Sequence, residues 1–160
     1  MNNDNRIAVL FIIINFCVAY VSDNVLNDLS KYSKIKAFRS LSPYFKKKSI
    51  VGAGIYAGLT VAIATILLMI IYNTIFNTYL PNTSSFKYSS STFMVYFIFF
   101  IIAYLIGYAM DVFIYKMNIF DNLQTFYKEV GAGNGGALSF IFSLSLSFGL
   151  LNLVKYLATV

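Results

Sequence analysis

The sequence predicts an all-α, polytopic membrane protein. It has four transmembrane helices, the first of marginal length, plus an interfacial amphipathic helix, in one helical membrane domain over residues 1–160. Three observations carry that prediction. The chain is 59% hydrophobic and only 11% charged, with mean hydropathy +0.72. Ordinary soluble chains carry about 25% charged residues, so this one lacks the polar surface to cover a water-soluble particle. Its apolar residues gather into four long runs, and its net charge of +6 comes from basic residues clustered mainly between those runs.

Met1 to Arg6 is a short polar tail. The first span, residues 7–22, is interrupted by Asn15 and bounded by Arg6 and Asp23. Its length falls just short of the roughly 17–25 residues that cross a bilayer, which makes it marginal. A signal-peptide h-region is the competing reading. It is weakened by Asp4, which offsets Arg6, and by the lack of a clear small-x-small cleavage site. We read an uncleaved span.

The segment 23–48 is polar and basic, with Lys31, Lys34, Lys36, Arg39, Lys46, Lys47 and Lys48 against Asp23 and Asp28. Val25, Leu29, Tyr32, Ile35 and Phe38 recur near helical spacing. A basic amphipathic stretch beside a membrane is expected to lie on its surface and attract anionic lipid, with Pro43 breaking it. The plainer reading is that these lysines only set topology. The second span, 49–72, is an uncharged run of twenty-four residues. At 1.5 Å per residue it reaches about 36 Å, enough for a core of about 30 Å. Gly54 and Gly58 form a Gly-x-x-x-Gly pair, a groove for close helix packing, expected within the chain rather than between copies.

Residues 73–92 form a polar loop in which Asn82-Thr83-Ser84 is a permissive glycosylation acceptor if it faces a lumen. The third span, 93–110, carries the small pair Ala103 and Gly107 and ends at Asp111. In segment 112–130, Phe113, Met117, Phe120, Leu123, Tyr127 and Val130 recur with amphipathic period, which predicts the interfacial helix. Gly131, Gly133, Gly135 and Gly136 then read as a hinge over 131–136, because glycine disfavours helix interiors and permits positive φ. The final span, 137–157, carries Ser139, Ser143 and Ser147 at four-residue intervals, a helix-packing strip.

Segment 23–48 has seven basic residues and 111–136 has two, Lys116 and Lys128. The positive-inside rule puts both in the cytosol, with the two termini and the Asn82 loop on the other side. No enzyme, metal or cofactor constellation is expected. The chain has no His and one cysteine, Cys17, which reads as a small buried hydrophobe. Its six carboxylates form no spaced pair within a span. The glycine string follows a helix rather than a strand and lacks the Gly-Lys-Ser/Thr ending of a phosphate loop. Asp111 is read as a helix-end residue in the headgroup zone.

Phe, Tyr, Met, Ile, Asn and Lys abound, all with AT-rich codons. Asp111-Val-Phe-Ile-Tyr115, Phe126-Tyr-Lys-Glu-Val-Gly-Ala-Gly133 and Gly136-Ala-Leu-Ser-Phe-Ile-Phe-Ser143 resemble small multi-span membrane proteins of nucleocytoplasmic large DNA viruses. The resemblance covers under a third of the chain and transfers no functional residue. It implies residence in a virion inner membrane or in the host endoplasmic reticulum membrane from which one is made. The expected role is structural or in assembly, with the bilayer and anionic lipid as partners and with a homo-oligomer or other membrane or capsid proteins as further ones. Nucleic acid is not an expected partner. The alternative is a small oligomeric channel, a viroporin, built on Gly54/Gly58 or the serine strip.

Overall fold

The computed structural model describes residues 3–48, 50–81, 90–117, 128, 131 and 133–159. Among these the secondary structure is helical: α1 (Asn3–Tyr32), α2 (Lys36–Arg39), α3 (Ser42–Lys48), α4 (Ile50–Phe76), α5 (Ser90–Met117) and α6 (Asn134–Thr159). Four of them, α1, α4, α5 and α6, are long and apolar enough to cross a membrane.

The largest departure from the expected layout is α1. It does not end near residue 22 but runs unbroken for 30 residues, about 45 Å at helical rise. Val25, Leu29 and Tyr32 belong to this helix rather than to a separate surface helix. The charges at Asp23, Asp28 and Lys31 mimic a span's end in sequence, yet neither Gly nor Pro interrupts the helix there. It stops where Ser33 turns, its hydroxyl accepting the Ile35 N–H at 3.1 Å. Pro43 likewise does not terminate a helix. It lies in the first turn of α3, where its missing N–H costs nothing. At the other end of α4, Asn77 takes φ 55°, the left-handed C-cap that Asn tolerates better than other side chains.

The third helix continues through Asp111 to Met117, so residues 112–117 extend α5. The remainder of the expected interfacial helix, 118–130, lies outside the described residues except Lys128. The last helix begins at Asn134, which places Gly135 and Gly136 inside its first turn rather than in a hinge.

Around the bundle, α1 packs most extensively on α4 and also on α6, α6 packs on α5, and a thinner α4–α5 contact closes the ring. The contacts run in opposite order along the paired helices, Gly54 on Tyr20 and Gly58 on Phe16 between α4 and α1, Asp111 on Gly133 and Phe99 on Phe148 between α5 and α6, so these pairs are antiparallel. An aromatic node joins all four. Phe148 of α6 lies 4.7 Å from Phe11 of α1 and 5.5 Å from Phe99 of α5, and Phe99 meets Tyr72 of α4 edge-on at 5.2 Å. Tilted and edge-to-face contacts suit the ring quadrupoles. Leu68, Ala103, Leu144 and Leu151 fill the space around this node.

Both small pairs are used within the chain. A Cβ at Gly58 would lie 2.6 Å from the Phe16 ring and one at Gly54 would lie 2.7 Å from the Tyr20 ring. The α4 groove therefore receives aromatic rings of α1 rather than a bare helix backbone. Gly107 faces α6, where a Cβ would lie 3.0 Å from the Ala137 Cα, and Ala103 beside it is fully buried. Introducing Leu at position 58 should displace Phe16 and lower stability by about 1–3 kcal/mol, the usual cost of overpacking. Gly149, with open space around its Cα, is the control. Gly149→Ala should be neutral or stabilising by up to about 1 kcal/mol in circular-dichroism melts in detergent.

Candidate functional site

The most concentrated polar chemistry inside the bundle surrounds Asn15. An amide within an apolar helix cannot be hydrated by the hydrocarbon, so its hydrogen bonds must come from neighbouring helices. Asn15 is fully buried. Its Nδ2 donates to Thr65 Oγ1 of α4 at 2.7 Å, and the Thr65 hydroxyl in turn donates to its own helix at Val61 O, 2.7 Å away. On the other side Asn15 Oδ1 accepts from the Ser143 hydroxyl, and the Ser147 hydroxyl lies 2.9 Å from it. Ser147 has one proton and a second acceptor within reach, Ser143 O at 2.8 Å. One side chain thus ties α1 to both its neighbours, with the donors and acceptors matched in sign.

Of the serine strip, Ser143 and Ser147 pack on α1, whereas Ser139 is exposed. An asparagine in an apolar run is the signal that could have located the junction, since polar residues in spans commonly bond across helices. Its partners, separated by 50, 128 and 132 positions, had no local signature.

A second polar contact joins α5 to the start of α6. Asp111 Oδ2 accepts the Gly133 N–H at 2.8 Å and the Gly136 N–H at 3.3 Å. Gly133 O accepts from Ala137 N at 2.9 Å and so opens α6. The carboxylate therefore sits at the positive end of the helix, where it occupies amide donors that lack intrahelical partners. Asp111 does not end α5, which continues to Met117; it is an N-cap supplied to α6 by a different helix. Two glycines make room for it. Gly133 has φ 100°, which L side chains rarely adopt, and a Cβ at Gly136 would collide with Asp111 itself. Gly131, at φ 89°, has nothing close to where a Cβ would stand. Nearby, the Tyr104 hydroxyl donates to Asn134 Oδ1. The glycine string is thus anchored at its helical end.

The basic residues are dispersed over the surface. Lys31, Lys34, Lys36, Arg39 and Lys46 are exposed. Lys47 and Lys48 close α3, and their side chains lie outside the described ones. Cys17 is exposed as well, on the outward face of α1 rather than in the core. Among the described residues no group of three or more His, Cys, Asp or Glu side chains is placed to hold a metal ion. At the far end of the bundle an open groove brings Asp4 of α1 and Lys155 of α6 to a common rim over Ile7, Leu80 and Leu151.

These features define a class, a multi-pass membrane bundle of four antiparallel helices joined by intramembrane hydrogen bonds. Comparison with protein-family models, with curated proteins and with solved structures returns no match.

Ser143→Leu replaces a donor to Asn15 with a bulkier apolar group at a buried position. It should lower stability in detergent by about 1–3 kcal/mol, whereas Ser145→Leu, on the exposed face, should leave the melt within about 0.5 kcal/mol.

Proposed function

We propose that this protein is a structural or assembly component of a membrane. The single observation that carries the reading is that the polar groups near the bundle's centre are engaged in holding helix to helix. Asn15, Thr65, Ser143 and Ser147 bond to one another, and Asp111 caps α6. Such use of costly intramembrane polarity favours a fixed shape. The exposed basic residues of α1 to α3 supply a cytosolic face that attracts anionic lipid or acidic proteins. The resemblance of Asp111–Leu157 to proteins of large DNA viruses supports a setting in a virion inner membrane or its endoplasmic reticulum precursor.

The channel reading gains less support. Two of the three serines that would line an oligomeric pore are buried against α1, and the Gly54–Gly58 groove is filled by Phe16 and Tyr20.

Two measurements test the proposal. Quantitative proteomics of purified particles should find the protein enriched over endoplasmic reticulum residents; recovery in host membranes alone would remove the virion setting. Purified protein in planar bilayers should pass no current above the lipid background. Reproducible unitary currents would instead favour the channel.

A further inference from the structure

The contacts between α1 and α6 run in opposite order along the two helices. Asn15 meets Ser143 and Phe11 meets Phe148, so the start of α1 and the end of α6 share one end of the bundle. There both helices line a single open groove, α1 with Asp4 and Ile7, α6 with Leu151 and Lys155. Leu80 and Pro81 join them from the chain that follows α4. Both are buried, in a turn that Asn77 opens at φ 55° and the Thr78 hydroxyl closes by donating to Leu80 O at 3.1 Å.

The spacing stacks charge above apolar surface on both helices. Asp4 precedes Ile7 by three residues and Lys155 follows Leu151 by four, the separations that put side chains on one helix face. Each charge therefore stands one turn, about 5 Å, outside its apolar neighbour. Leu151 is fully buried and Ile7 half-buried, whereas Asp4 is exposed. On the outer surface at this level Val9, Leu10, Leu153 and Val154 are exposed and face hydrocarbon, so the rim lies where acyl chains meet headgroups. The groove has a volume of about 350 Å³, at the small end of the range for ligand sites. That suits a headgroup and its first methylenes rather than a whole lipid.

One negative and one positive side chain over an apolar floor complement an amphiphile that carries both charges. We propose that this groove binds phosphatidylethanolamine, one molecule per chain. Its phosphate accepts from the Lys155 ammonium, its own ammonium donates to the Asp4 carboxylate, and the first methylenes of its chains cover Ile7, Leu80 and Leu151. The charge pair selects this lipid against two others. Phosphatidylglycerol would leave Asp4 beside a phosphate with no cation between them. Phosphatidylcholine has the right charges but no N–H to give a carboxylate. Charge-assisted hydrogen bonds are about twice as strong as neutral ones, so the headgroup amine carries the discrimination.

The test is native mass spectrometry of the full chain, delipidated in detergent and given equal amounts of the three lipids with identical acyl chains. The wild type should retain one phosphatidylethanolamine about tenfold over either competitor, the factor expected for one charge-assisted hydrogen bond. Asp4→Asn should bring phosphatidylethanolamine down to the level of phosphatidylcholine, and Lys155→Gln should reduce retention of both. Arg6→Gln, an exposed charge in the same turn as Asp4, should change neither. Equal retention of the three lipids, or a preference that survives Asp4→Asn, would overturn the proposal. Preference for phosphatidylglycerol would overturn it as well and assign the groove to Lys155 alone. Should Asp4→Asn fail to fold, N-methylated and N,N-dimethylated phosphatidylethanolamine decide on the wild type. Retention should fall across the series that ends at phosphatidylcholine, and a flat series would overturn the site.

Discussion

The constraint on which this structure turns is that an amide in a membrane span must satisfy its hydrogen bonds from within the protein. Asn15 meets it with Thr65 on one side and Ser143 and Ser147 on the other, and so α1 lies between α4 and α6. Apolar packing alone would specify this poorly, because lipid tails are as apolar as the helix surfaces they would replace. A hydrogen-bonded junction is directional, so rotating α1 about its axis breaks it. The aromatic node at Phe11, Phe99 and Phe148 and the ring-on-glycine contacts at Gly54 and Gly58 then fill the space that the junction defines.

A parallel logic holds α5 to α6. The first turn of α6 presents free amide donors, and Asp111 meets two of them from a neighbouring helix. The contact needs glycine at Gly136 for space and at Gly133 for its backbone angle. The bundle is therefore pinned at two heights, by a neutral amide within the core and by a carboxylate at the start of α6.

How much of this was legible in the sequence follows from the range of each interaction. Length and hydropathy located four spans, because burial in lipid is a property of a continuous run. The pairs Gly54/Gly58 and Ala103/Gly107 were legible as packing surfaces, since spacing along one helix reveals a face. What lies on that face was not, and rings of Phe16 and Tyr20 occupy a groove that spacing alone would give to a backbone. Helix α1 was read too short because Asp23, Asp28 and Lys31 look like a boundary when only order along the chain is known. Two of them are exposed and one is turned inward, a distinction that needs the third dimension. Asp111 was singled out by its position after a span, but its partners come 22 and 25 residues later through a glycine string whose role is space rather than flexibility.

A fixed bundle with a basic face is the physical basis for the proposed structural role, and its rigidity rests on Asn15 acting jointly with two helices. The most direct test is a double-mutant cycle in detergent unfolding that pairs Asn15→Ala with Ser147→Ala, with Asn15→Ala and Ser145→Ala as the control pair. If the junction holds the bundle, the first cycle should show a coupling energy of about 0.6–1.7 kcal/mol and the control none. Additive effects in both cycles would contradict the account and leave apolar packing as the source of the arrangement.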